Sequence, residues 1–123
     1  MDRESTHSFC LSLPGAYEDF PFGEVSVYKV RGKMFALLTP PSTEPVHISL
    51  KCDPVLSVIL REQFPAVQPG YHLNKQHWNT VTLDGTLEEP QILDMIEDSY
   101  QLVVKSLPKA VRQALERDAS DLS

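Results

Sequence analysis

Apolar side chains recur along the chain at two spacings, three to four residues apart in some segments and every second residue in others. The first spacing is typical of amphipathic helices and the second of half-buried strands. Helical spacing predicts helices at 2–13, 54–64 and 86–107, and a short one after Pro108 with a frayed tail from 118. The apolar stripe of the second helix consists of Val55, Leu56, Ile59 and Leu60.

Segments rich in β-branched, aromatic and aliphatic residues predict four strands, at 25–30, 33–39, 46–50 and 80–83. Only Arg31 and Gly32 separate the first two, which is the length of a two-residue hairpin turn. Alternate residues of the second and third strands are apolar, so one face of the sheet should contribute to the core.

Polar and helix-breaking residues mark the ends of these elements. Asp53 and Pro54 predict the N-cap and first residue of a helix. Thr86 with Glu89 fits a capping box, and Ser106 is placed to cap the terminal helix. The proline-rich segment 40–45 predicts an exposed loop. The long connection 65–78 lacks periodicity, which indicates either a hidden element or a functional loop.

The order of elements predicts an α+β fold, an antiparallel sheet with helices packed on one face. A chain of 123 residues, 41% hydrophobic and 23% charged, fits a single domain spanning 1–123. The sequence has no apolar run near the ~20 residues that span a bilayer and no apolar signal core, so we expect a cytoplasmic protein without a membrane partner. Cys10 and Cys52 lack metal or disulfide-framework spacing and are predicted to be buried, reduced thiols.

Motifs of several enzyme classes are missing from the sequence. It contains neither of the glycine-rich phosphate loops, GxxxxGK and GxGxxG, and neither HExxH nor GxSxG. His72 and His77 are five residues apart and do not share a face of a strand or helix, which argues against a shared metal ion. We therefore predict a non-enzymatic protein with no catalytic residue, cofactor or metal site, and favour a monomer.

Charge is distributed unevenly, although the net charge of -6 argues against a wholly basic nucleic-acid binder. Segment 25–51 carries +3, whereas segment 86–101 carries five carboxylates and no basic residue. A basic hairpin could contact DNA phosphates, with salt-sensitive affinity, through Lys29, Arg31, Lys33 and Lys51. The loop that follows would add aromatic and hydrogen-bonding groups from Tyr71, His72, Asn74, Lys75, His77 and Trp78. A solvated hairpin and a core Trp78 are the structural alternatives.

Several short stretches of the sequence resemble the MmcQ/YjbR-like family of small bacterial proteins. They are Lys33-Met34-Phe35-Ala36, His47-Ile48-Ser49-Leu50-Lys51-Cys52-Asp53-Pro54, Gly70-Tyr71-His72-Leu73-Asn74-Lys75, His77-Trp78 and Ser99-Tyr100-Gln101-Leu102-Val103. The likeness runs from about Phe9 to Leu107. It implies a CyaY-like (frataxin-like) sandwich and a DNA-binding family label, and carries no catalytic residue set. By resemblance, the polar positions to suspect are Lys33, Lys51, His72, Asn74, Lys75, His77 and Trp78.

The sequence thus leaves three functional hypotheses. The first is a weak DNA-binding module using the hairpin and the 71–78 loop. The second is a small-ligand or metal-binding protein using the same loop or the acidic last long helix, where Asp94, Glu97 and Asp98 have one-turn spacing and frataxin likeness suggests iron. The third is an interaction adaptor using the proline-rich loop.

Overall fold

A computed structural model describes residues 1–70 and 73–121, with side chains through residue 118. The helices are α1 Arg3–Ser12, α2 Pro54–Gln63, α3 Glu89–Lys105 and α4 Lys109–Asp121. The strands are β1 Ala16–Asp19, β2 Ser26–Val30, β3 Lys33–Leu38, β4 His47–Lys51, β5 Val67–Pro69 and β6 Trp78–Thr82. All six strands form one antiparallel sheet in the order β1-β2-β3-β4-β6-β5. The predicted α+β class with an antiparallel sheet is confirmed.

Two strands, β1 and β5, were not predicted, and both lie at edges of the sheet. β1 reads Ala-Tyr-Glu-Asp, and its charged residues give no apolar alternation. β5 is the hidden element of the 65–78 connection, and Pro69 is tolerated there because an edge strand has no neighbour on one side. Short edge strands carrying charge or proline also resist pairing with other chains.

The β2–β3 hairpin has the predicted two-residue turn. Arg31 and Gly32 both adopt positive φ, 48° and 84°, as the right-handed twist of the flanking strands requires of such a turn. Glycine takes this conformation without a Cβ clash. The turn therefore sets the register of the first two residue pairs, and the register shifts between Lys29 and Tyr28 before the central pairing.

The core fills the space between one face of the sheet and the helices. α3 contacts β2, β3 and β4, whereas α2 contacts β5 at the far edge. Ser99 on α3 is fully buried, donates to the Phe35 carbonyl and accepts the Lys51 N–H, so its hydroxyl joins the helix to two strands. Phe35 and Tyr100 meet edge to face at 5.4 Å. The Ser99–Tyr100 motif therefore has a structural role.

α4 closes the core beside β1 and β2. Leu115 is buried in the core cluster, and a Cβ on Gly15 would lie 2.6 Å from its Cδ1. Gly15 also has φ +73°, so glycine is required there on two counts. The predicted short terminal helix with a tail frayed from 118 is instead helical through Asp121.

Two details of the helices differ from the sequence prediction. The capping box of α3 uses Glu88 and Gln91 rather than Thr86 and Glu89, because Thr86 bonds to Asp84 in the preceding turn. On α2, most of the predicted apolar stripe faces away from the core. Val55, Leu56 and Ile59 are exposed, whereas Leu60 packs against the core.

Candidate functional site

The three cations of the β2–β3 hairpin, Lys29, Arg31 and Lys33, each have a partner within the molecule. Lys29 Nζ donates to Asp19 Oδ2 at 2.7 Å, which lowers the pKa of Asp19 and raises that of Lys29. Arg31 pairs with Asp118 on α4 at 3.2 Å. Lys33 Nζ lies 3.1 Å from Ser106 Oγ. Phosphate contacts at the hairpin would therefore compete with these bonds.

Lys51 and Trp78 are directly opposite each other on β4 and β6. Trp78 is only 8% exposed, and Gly70 packs so closely against it that a Cβ there would lie 2.8 Å from the Trp78 Cβ. Its burial matches the core alternative better than a stacking platform for bases. Next to it, the Cys52 N–H donates to the His77 carbonyl at 2.8 Å.

The 73–78 turn is held by hydrogen bonds around Asn74. The backbone carbonyl of Asn74 accepts the N–H groups of His77 and Trp78. The side-chain Oδ1 of Asn74 accepts the N–H of Gln76 at 3.0 Å. Arg61 on α2 donates to the carbonyl oxygens of Lys75 and Trp78. Lys75 is exposed, and Tyr71 and His72 lie outside the described residues.

The register places the hairpin turn and the 73–78 turn at the same end of the sheet, since β3 and β6 begin there and β4 ends there. The structure thus brings Lys51, His77 and Trp78 together, with Asn74 and Lys75 in the adjoining turn. Lys29, Arg31 and Lys33 belong to the same end, although their charged groups contact Asp19, Asp118 and Ser106.

The second face of the sheet contains a groove of about 580 Å³. The pairing register aligns one row of residues across this face, in the order Asp19, Val27, Leu37, Ser49, Thr80 and Gln68. The groove is lined, among the described residues, by Phe22, Val25, Leu37, Leu38, Thr39, His47, Ser49, Leu73 and Thr80. In its middle, the hydroxyls of Ser49 and Thr80 are 2.9 Å apart.

Two loops from opposite ends of the sheet supply walls of this groove. Phe22 lies in the β1–β2 connection and is 57% exposed, whereas Leu73 lies in the connection between β5 and β6. Their approach across the sheet produces a concave site with apolar walls and a partly polar floor. Pockets for small molecules have this composition, with volumes of roughly 300–1,000 Å³.

Most residues of the groove were not predicted from the sequence as site residues. Of the groove residues, only Leu73 belongs to the loop that was singled out, and His47 and Ser49 entered only as part of the resemblance. One signal was available: Leu37 lies between two buried apolar neighbours, so β3 is apolar on both faces. A strand that is apolar on both faces indicates that something other than water covers each of them.

No three metal-ligating side chains come together within residues 1–70 and 73–118. Asp94, Glu97 and Asp98 are exposed on α3. Cys10 and Cys52 are both free and buried, as predicted, and burial raises the pKa of each thiol. Within the described part of the chain, no helix has both the length and the apolar character required to cross a membrane.

Several known proteins are similar to this chain over most of its length. It is 39% identical to YbdF of Escherichia coli O157:H7 over 114 residues, 89% of this chain and 93% of that protein. It is 38% identical to YjbR of Escherichia coli K12 over 111 residues, 87% of this chain and 91% of that protein.

Solved structures agree with this similarity. The crystal structure of Deinococcus radiodurans protein DR2400 matches with a TM-score of 0.86 and 41% identity, over 92% of this chain and 86% of that one. A crystal structure of a Pseudomonas syringae protein matches with a TM-score of 0.72 and 33% identity, over 83% and 98%. The YjbR family model matches residues 11–102. This chain therefore belongs to the YjbR family.

Proposed function

We propose that this protein binds a small organic molecule in the groove on the second face of the sheet. The observation that carries the proposal is the lining of this groove, where Phe22, Leu37 and Leu73 lie beside the hydrogen-bonded hydroxyls of Ser49 and Thr80. A sheet face that only contacts water is normally polar along its whole width. We propose ligand binding at this groove and no chemical reaction.

The lining defines the chemical class of the ligand. Phe22, Leu37 and Leu73 offer apolar contacts, so the body of the ligand should be a ring or a short branched chain. His47 and Ser49 add hydrogen-bonding groups to the lining of the groove. An aromatic carboxylic acid or amide combines these two features and fits the available volume.

DNA binding through the hairpin, Lys51 and the 71–78 loop remains a prediction. In its favour, Lys75 is exposed at the same end of the sheet as Lys33 and Lys51. Against it, Lys29, Arg31 and Lys33 have intramolecular partners. Iron binding on α3 also remains a prediction, and so does the frataxin-like sandwich from which it was inferred. A cytoplasmic location remains a prediction as well.

Saturation-transfer NMR with a mixture of small aromatic carboxylates and amides tests the ligand proposal. We expect transfer to the aromatic protons of at least one compound, and chemical-shift changes in the methyl groups of Val25, Leu37 and Leu73. Leu37→Trp should fill the groove and weaken binding by about tenfold or more, because the added ring takes the ligand's space. Leu11→Trp, at an exposed position on α1, is the matched control and should bind as the unmodified chain does.

The absence of saturation transfer from the protein to any compound of the mixture would contradict the proposal, and so would equal binding by Leu37→Trp. The same labelled sample should then receive a mixed-sequence DNA duplex at low and at high salt. Salt-reversible shifts confined to 29–33, Lys51 and 73–78 would support DNA binding instead, since phosphate contacts weaken steeply with salt.

A further inference from the structure

α2 carries an apolar surface that no part of the described chain covers. Val55 is 71% exposed, Leu56 38%, Val58 51% and Ile59 44%, although they occupy four positions of a ten-residue helix. We name these four residues the α2 face. Single exposed apolar side chains are ordinary, but a contiguous group on one helix marks an interaction surface.

The α2 face is bordered by acidic residues. Leu56 and Leu60 share a small recess with Met95 and Asp98 of α3, which places the edge of α3 beside the α2 face. Asp94 is exposed one helical turn before Asp98. These two carboxylates lie on the segment 86–101, which has no basic residue.

The ends of α2 add to this negative border. Asp53 is the exposed N-cap, and Glu62 is exposed in the last turn. Of the cations nearby, Lys51 lines the same recess as Asp98, and Arg61 points inward to Asn79 and the 73–78 turn. Among the described residues, the border of the α2 face thus includes the carboxylates of Asp53, Glu62, Asp94 and Asp98 and the cation Lys51.

This charge distribution decides between two possible occupants. If two copies paired through antiparallel α2 helices, Asp53 of one would approach Glu62 of the other, and two chains of net charge -6 would repel. A positively charged partner would be attracted by the same groups. A helix that presents apolar residues on one side and lysines or arginines at its borders matches both features of the surface.

We propose that the α2 face and the acidic edge of α3 form a docking surface for a cationic amphipathic helix of another protein. This surface lies on the helical side of the sheet, away from the groove, so the two sites can be tested independently. The partner's apolar residues would cover Val55, Leu56 and Ile59. Its cations would approach Asp53, Asp94 and Asp98.

An NMR titration of the labelled protein with a synthetic peptide of leucine and lysine in amphipathic order tests this proposal. The peptide should be about 18 residues long, so that a helix can form on binding. We expect amide shifts confined to residues 53–63 and 91–102, and binding that weakens with added salt because the border charges are exposed. A peptide with glutamate in place of lysine should bind at least about tenfold more weakly.

Ile59→Glu should weaken the leucine–lysine peptide by about tenfold or more, whereas Leu11→Glu on α1 should leave its affinity unchanged. Both positions are exposed, so both variants should keep the dispersed spectrum of the folded protein. Equal binding of the two peptides, or equal binding by Ile59→Glu, would overturn the proposal. A dimer in sedimentation experiments that Ile59→Glu dissociates would also overturn it, since the occupant would then be a second copy.

Discussion

Arg61 shows how one side chain can fix a turn from a neighbouring helix. Its Nε donates to Asn79 Oδ1 at 2.7 Å, and its second amino group reaches the carbonyl oxygens of Lys75 and Trp78. Asn79 is only 3% exposed, so water cannot easily replace this donor. The turn that carries the suspected residues Asn74, Lys75 and His77 therefore depends on α2.

Replacing Arg61 should destabilise the protein chiefly through the buried Asn79 amide, whose Oδ1 would lose its donor. We expect Arg61→Ala to lower the free energy of unfolding by about 1–3 kcal/mol, the usual cost of a buried polar group left without its partner. Arg61→Lys should recover only part of this, since lysine lacks the planar fork of donors. Urea unfolding measures the effect, with Glu62→Ala as an exposed control within about 0.5 kcal/mol of the unmodified chain. Equal stability of Arg61→Ala would contradict the assigned role.

The Asp19–Lys29 pair predicts a dependence on acid. Lys29 and the Phe20 N–H hold the pKa of Asp19 below its usual value of 3.8 in the folded protein. The unfolded chain therefore binds this proton more readily, and the stabilisation present above pH 3.8 is lost as the pH falls through the lowered pKa. Asp19→Asn should accordingly lose less stability than the unmodified chain on acidification.

Thermal unfolding at about pH 6 and about pH 3 measures how much stability each protein loses on acidification. The difference in loss between the unmodified chain and Asp19→Asn should come from the titration of the Asp19 carboxyl. Glu24→Gln, in the exposed connection after β1, removes the same charge and serves as the control. If Asp19→Asn and the unmodified chain lost equal stability between the two pH values, the pair would not contribute to the fold.

At the scale of the elements, all four helices were predicted from local chemistry, whereas two of the six strands were not. Asp53 caps α2 as predicted, because a carboxylate followed by proline satisfies the first free N–H groups of a helix wherever it occurs. β1 and β5 were missed because edge strands take their conformation from pairing with β2 and β6 rather than from their own residues. The exposure of Val55 and Ile59 was also hidden, since helical periodicity does not say what covers the apolar side.

The cap of α2 can be tested directly. Asp53 Oδ1 accepts the N–H groups of Val55 and Leu56 at 3.0 and 3.2 Å. Asp53→Ala should lower the free energy of unfolding by about 0.5–2 kcal/mol, whereas Asp53→Asn, which keeps an acceptor, should retain most of it. Urea unfolding of the three proteins checks the order. If Asp53→Asn were as unstable as Asp53→Ala, the hydrogen-bond acceptor at residue 53 would not be the source of the stabilisation.

At the scale of the whole molecule, sequence analysis gave the class of fold but not the groove. The groove is lined by both Phe22 and Leu73, which come from loops about 50 residues apart in sequence. Local periodicity contains no information about such an encounter. The resemblance did indicate His47, Ser49 and Leu73 as part of its motifs, although without a role.

Reactivity of the Cys10 thiol can be used to measure the global stability of the protein. Cys10 is fully buried, and burial raises its pKa to about 12, so the reactive thiolate is scarce in the folded protein. In Cys52→Ser, which leaves one thiol, labelling by Ellman's reagent should follow the unfolded population and rise with urea. Complete labelling within minutes in native buffer would contradict the burial of Cys10.

The contact between Leu115 and Gly15 has a consequence for the order of events during synthesis. β1 to β4 are complete once the chain reaches Lys51, but Leu115 is made 64 residues later. At about 5–20 residues per second, the ribosome needs roughly 3–13 s to add it. During that interval the residues of β1 to β4 lack Leu115, whose Cδ1 lies beside Gly15, and until residue 105 is made they also lack the complete α3, which packs on β2, β3 and β4. The nascent chain therefore exposes this part of its core to chaperones and proteases until α4 arrives.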